Sequence, residues 1–198
     1  MTAATRETQL LRLPDGRHLG FAEYGDPNGW PMFLFHGYPG SRLLFSTIDA
    51  AATSAGVRVI APDRPGIGLS DFQPKRRFAD WPADITALAD ALGIARFAVG
   101  GVSGGGPYAA ACARYIADRL TGCALISGVA PFDAPGATDG MMATNRVLFR
   151  IARWPGPLLR MIMIGQGAVS RRSPDRVISM LDRVLPESDV AIIHRPEV

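Results

Sequence analysis

The run Val99-Gly100-Gly101-Val102-Ser103-Gly104-Gly105-Gly106-Pro107-Tyr108 constrains the fold of this chain more than any other segment. It places Gly-x-Ser-x-Gly between an apolar, strand-like stretch and an alanine-rich, helix-like one. So sharp a strand–turn–helix forces the central residue into a strained backbone conformation and lifts its hydroxyl above the sheet as a nucleophile. Gly101 and Gly105 fit that geometry, because strand and helix approach too closely for side chains on either side of Ser103. A serine nucleophile needs a base, and beyond Ser103 the only histidine is His194.

The rest of the chain reads as alternating strands and helices. Leu10–Leu13 and a second strand through Tyr24 flank a Pro14-Asp15-Gly16 turn, a hairpin signal. Met32–Phe35 is apolar without alternation, as expected of a strand covered on both faces. A helix is expected from about Leu43 to Ala55, then a β-branched strand from Val57 to Ala61. Asp80 is placed to cap a helix with Pro82 in its first turn and Ile85, Leu88, Ala89 and Leu92 on one face. A strand over Phe97–Val102, a helix from Gly104 to about Arg119 and a strand over Cys123–Ser127 follow. This order predicts an α/β fold with right-handed crossovers, a mostly parallel sheet and helices on both faces. Functional residues then belong in the loops at the carboxyl ends of the strands: His36–Ser41, Asp63–Asp71, Ser103 and Pro131–Asp133.

After Phe132 the pattern turns helical: about Asp139 to Arg153, about Leu158 to Val169, and a helix with Ser173 as cap and Pro174 at its first position. A last helix begins near Ser188. The expected division is 1–131 for the α/β core and 132–198 for the helical segment.

Composition excludes several classes. With 198 residues, 47% of them hydrophobic and 20% charged, the chain can bury one core and is not disordered. The net charge of +3 rests on arginine, since Lys75 is the single lysine. The arginines are scattered without interleaved aromatics, so nucleic acid is not an expected partner. Arg146, Arg150 and Arg153 share one helix face and read as solvated. Cys112 and Cys123 form no metal-ligand or disulfide framework and read as buried core thiols. No metal or organic cofactor is implied. Met1–Gln9 lacks an apolar signal core, and Leu158–Val169 is too short to cross a bilayer, so a soluble cytoplasmic protein is expected.

Three motifs in register with the strands resemble the α/β-hydrolase superfamily, in its single-domain group. His36-Gly37-Tyr38-Pro39-Gly40-Ser41 is similar to the family's HG-x-P-G loop after the third strand. Asp63-Arg64-Pro65-Gly66-Ile67-Gly68-Leu69-Ser70 is similar to its D-R-P-G-x-G-x-S loop after the fourth. Gly101–Gly105 is similar to its nucleophile elbow. The resemblance covers the chain closely to about Ser127, and the helical remainder resembles the family's inserted lid. Rich in Leu, Ile, Met and Phe, such a lid would line an apolar pocket.

By this resemblance Ser103 is the nucleophile, and the backbone N–H groups of Tyr38 and Gly104 form the oxyanion hole. Serine rather than aspartate implies an acyl-enzyme, hence a small-molecule ester, thioester, lactone or amide substrate. His36 and Gly37 form the supporting loop, with His36 structural in the family rather than a base. His18 reads as an exposed strand residue, Asp63 as the organiser of its own loop, and Met161 and Met163 as lid packing. The family's acid and histidine follow its last two strands, which are not visible here. Asp133 lies near an alternative acid position, and His194 lacks the surroundings of the family's histidine. The chain is therefore expected to be part of a longer hydrolase, with its sixth strand left as an edge. Isolated, such a chain would be marginally stable and prone to aggregation. The competing expectation is a non-catalytic small-molecule binding module that lacks the histidine needed to activate Ser103. Oligomeric state is not readable.

Overall fold

The computed structural model describes residues 6–131, 134–141, 143–151, 156–183, 185, 187, 190–191 and 194. The chain divides into two compact units, Met1–Ala130 and Pro131–Val198.

The first unit is a six-stranded sheet: β1 (Gln9–Arg12), β2 (His18–Gly25), β3 (Trp30–Phe35), β4 (Val57–Pro62), β5 (Phe97–Val102) and β6 (Leu120–Ile126). Their spatial order is β1-β2-β4-β3-β5-β6. The first two strands are antiparallel to each other, and β2 is antiparallel to β4; all other pairings are parallel. A tight turn makes the first hairpin, with Gly16 at φ +89° and its N–H donated to Leu13 O at 2.9 Å.

Helices cover both faces, as the alternation predicts. Phe33, Phe35, Ile60, Phe97 and Val99 point to one side, where they pack on α2 (Trp81–Ala91) and α3 (Gly106–Tyr115) through Trp81, Ile85, Leu88, Ala109 and Cys112. Leu34, Val59, Ala61, Ala22 and Tyr24 point to the other, against Phe45 and against Ala52 of α1 (Asp49–Ser54). Phe33 and Phe35 flank Leu34 in sequence, so the strand's period of two sends both phenylalanines to one core and Leu34 to the other. The two terminal guanidinium nitrogens of Arg17 donate to the Asp84 carboxylate, at 3.1 and 2.8 Å, and so tie the hairpin to α2.

Several expectations are corrected. The helix expected over 43–55 is a 3-10 turn over Arg42–Ile48, capped by Ser41 Oγ, that continues into α1. Asp80 stands at the α2 N-cap, but its carboxylate reaches back to accept the Arg77 N–H at 2.7 Å. The helix after Ser103 ends at Tyr115 rather than near Arg119. Cys112 is buried, but Cys123 is exposed. It lies on β6, which among the described strands pairs only with β5, so one flank lacks the neighbour a core position requires. Leu125 and Ile126 on the same strand are exposed for the same reason.

The second unit contains α4 (Ala143–Ile151), α5 (Gly156–Arg172) and α6 (Pro174–Leu181). Ser173 occupies the N-cap of α6 without a side-chain cap hydrogen bond. His194 Nε2 lies 2.9 Å from Asp182 Oδ1. Arg153 and the Met163 side chain lie outside the described residues. No helix among the described residues is long and apolar enough to cross a membrane.

Candidate active site

The strand order creates the site. β3 continues into a crossover to β4 on one side, while β5 feeds α3 and then β6 on the other. The carboxyl ends of neighbouring β3 and β5 therefore open a crevice, the usual place for a ligand in an open α/β sheet. Phe35 pairs with Gly101, so the loop beginning at His36 runs beside Val102 and Ser103.

Ser103 has φ +51°, a left-handed conformation that costs a non-glycine residue roughly 1–3 kcal/mol. Close packing on both sides holds it there. A side chain at Gly105 would run into the Phe35 carbonyl, and one at Gly101 into the Gly105 carbonyl. Gly37 faces the serine: a Cβ there would stand 3.1 Å from Ser103 Cβ and 3.5 Å from its Oγ. A Cβ on Gly104 would lie 3.5 Å from the Tyr38 nitrogen, so these two backbone segments converge beside the hydroxyl. The Tyr38–Pro39 peptide is cis. An open cavity of about 470 Å³ adjoins this loop, lined by Tyr38, Pro39, Gly40, Ser41, Leu44 and Ile67.

The Asp63 loop supports the crevice from below. Asp63 is fully buried and accepts the N–H of Arg42 at 2.7 Å, that of Leu69 at 2.9 Å, and Arg42 Nη1 at 2.8 Å. Gly68, at φ +54°, packs so closely on the carboxylate that any side chain would collide with it. Asp63 is thus the loop organiser expected. Its partner Arg42, buried as well, was not visible in the sequence. Arg64 was missed too, although it stands inside the motif: its buried guanidinium donates to Gly37 O at 2.9 Å and reaches Gly104 O at 3.5 Å.

His36 is fully buried and both ring nitrogens are committed. Nε2 accepts the Arg64 N–H at 3.3 Å, which leaves Nδ1 to donate to Gly37 O at 2.9 Å. Burial pushes its pKa down from 6.5 to about 4, with the nearby Arg64 charge acting in the same direction. The ring is therefore neutral and structural. Because the folded pKa lies below the unfolded one, the unfolded chain binds the extra proton between pH 6.5 and 4. Stability is complete above pH 6.5 and falls as pH drops through that window, by roughly 3 kcal/mol in total. Urea unfolding at pH 7.5, 5.5 and 4.5 checks this. His36→Gln is expected to be less stable at pH 7.5 and to lose less between 7.5 and 4.5, and equal pH slopes in the two proteins would refute it.

His18 is exposed, as expected, with Nδ1 3.0 Å from Asp71 Oδ2. Asp133 lies outside the described residues. Among the described residues no cluster of three or more His, Cys, Asp or Glu side chains could hold a metal ion.

A family model described as alpha/beta hydrolase fold matches residues 31–150. The chain is 32% identical over 158 residues to a non-heme chloroperoxidase of Streptomyces lividans, covering 72% of this chain and 57% of that protein. It is 32% identical over 122 residues to a bifunctional esterase/perhydrolase of Acinetobacter calcoaceticus, covering 59% and 43% respectively. A solved structure of a thermophilic esterase from Thermogutta terrifontis superposes with a TM-score of 0.58 at 29% identity, covering 84% of this chain and 63% of that one. The chain thus spans about half the length of the curated relatives it matches.

Proposed function

Because the chain belongs to the alpha/beta hydrolase fold family, we propose that it carries the nucleophile and oxyanion hole of a serine hydrolase acting on a small, apolar ester or related acyl compound. The observation that carries this reading is Ser103 at φ +51° between β5 and α3, half-buried and with the Gly37 backbone beside its hydroxyl. In the reaction, Ser103 Oγ attacks the acyl carbon and its proton passes to a base. The alcohol leaves with a proton, and water then releases the acid from the acyl-serine. The oxyanion formed at each step would take the N–H groups of Tyr38 and Gly104, each worth roughly 3 kcal/mol in such sites. A serine at this position favours acyl chemistry over the halide displacement named for some relatives, the haloalkane dehalogenases. The cavity beside Tyr38, with Pro39, Leu44 and Ile67 in its wall, suits an apolar acyl or alcohol group.

The base is not His36, whose two nitrogens are occupied. A protein with binding residues but no base would retain only the catalysis of its oxyanion hole. Labelling by a fluorophosphonate probe separates the two readings. Stoichiometric labelling at Ser103, absent from Ser103→Ala, is expected of the hydrolase. No labelling, or labelling at another residue, would refute it.

A further inference from the structure

The Gly37 carbonyl oxygen accepts three hydrogen bonds: from Arg64 Nη2 at 2.9 Å, His36 Nδ1 at 2.9 Å and the Gly40 N–H at 3.1 Å. A carbonyl oxygen has two lone pairs, so three donors on one oxygen is a dense arrangement. That oxygen belongs to the peptide unit whose nitrogen is Tyr38 N. In a trans peptide the C=O and N–H point in opposite directions, so whatever holds the oxygen also aims the N–H. The same guanidinium reaches Gly104 O at 3.5 Å, on the other segment that borders the hydroxyl.

Arg64 is an unusual residue for such a place. It is 7% exposed, no carboxylate among the described residues pairs with it, and its Nε has no hydrogen-bond partner. Its guanidinium instead lies over the Tyr108 ring, 5.4 Å from the centroid, and Tyr108 in turn packs edge-on against Trp81 at 5.4 Å and Phe78 at 4.9 Å. A buried arginine that meets backbone carbonyls and a tyrosine but no carboxylate is costly to bury unless it has a use.

We infer that Arg64 is the positioning residue of the oxyanion hole, holding the Gly37–Tyr38 peptide by its carbonyl so that the Tyr38 N–H is aimed at, and polarised toward, the developing oxyanion. This inference rests on the serine hydrolase reading. A donor on the carbonyl draws charge through the amide and strengthens the N–H opposite, and a fixed peptide has nothing to reorganise in the transition state. Arg64 is buried behind these segments and bonds their carbonyls, so its role is positioning. Its effect falls on the rate of acylation and not on ground-state binding, because the oxyanion exists only after attack.

The test uses the full chain and a fluorophosphonate probe, with the maximal labelling rate and the half-saturating concentration measured separately. Arg64→Gln is expected to lower the maximal rate roughly 10- to 100-fold, a fraction of what deleting a whole donor costs. The half-saturating concentration should stay within about twofold. Arg64→Lys, which keeps the charge but cannot reach both carbonyls, should fall between the two, and added guanidinium ion should partly restore Arg64→Ala. Proton–nitrogen NMR gives a readout free of chemistry: in Arg64→Lys the Tyr38 amide resonance should move upfield, while thermal melting shows the protein folded. An unchanged labelling rate in a folded variant, or an unmoved Tyr38 amide, overturns the role of Arg64. Absence of labelling in the unsubstituted protein, with the amide shift present, instead overturns the hydrolase reading.

Discussion

Gly105→Ala is expected to lose the fold: little soluble protein, or a melting temperature lowered by more than about 10 °C, corresponding to over about 4 kcal/mol for a chain of this size. The added methyl would overlap the Phe35 carbonyl oxygen and stand 2.8 Å from the Phe35 carbon and 3.1 Å from the His36 oxygen. All three are backbone atoms of the central strand and its loop, so no side-chain rotation relieves the collision. Relief requires α3 to move off the sheet, which opens the core of Phe35, Trp81, Tyr108 and Ala109. Gly122→Ala is the control. Nothing lies within 4 Å of its added Cβ, on the exposed part of β6, and a change within about 1 kcal/mol is expected. If Gly105→Ala melts within a few degrees of the unsubstituted protein, the close approach of α3 to β3 is wrong, and with it the backbone constraint on Ser103.

Asp63→Ala is expected to destabilise by roughly 3–5 kcal/mol, the usual result of removing one member of a buried ion pair. Arg42 would remain buried without its countercharge, keeping only the bond from its Nε to Glu7 O at 2.6 Å. Two backbone N–H groups, those of Arg42 and Leu69, would lose their acceptor as well, and each orphaned donor adds a cost of its own. Asp63→Asn preserves the volume and one acceptor oxygen and should cost less. Urea unfolding at pH 7.5 measures both. The substitution has a second consequence: residue 64 follows directly, so the loop that carries the Arg64 guanidinium loosens and labelling of Ser103 should slow even in the folded fraction. A loss below about 1 kcal/mol would mean that the Asp63–Arg42 pair is not buried as described.

The strands were readable because a central parallel strand must be apolar on both faces, and Met32–Phe35, Val59–Ala61 and Phe97–Val102 are. The turn at Ser103 was readable because its glycines answer a local requirement, that of a strand and a helix meeting within three residues. Asp63 was readable as the organiser of its loop because Leu69, six positions on, is among its partners, whereas His36 was placed as a support by the family resemblance, since the partner of its Nε2 lies 28 positions away. Cys123 was misread, since an apolar strand near the sheet's edge resembles a central one until its pairing is known.

The amino-acid sequence by itself determined the order of elements, the two faces of β3 and the place of Ser103, because each depends on periodicity or on contacts a few residues apart. Tertiary structure alone decided the partners of the buried charges. Arg42 meets Asp63 across 21 positions, and Arg64 meets Gly37 across 27 and Gly104 across 40. An arginine in the sequence looks the same whether it is solvated or buried. Only the folding of three distant loops to one end of the sheet removes the water and leaves backbone carbonyls as its partners.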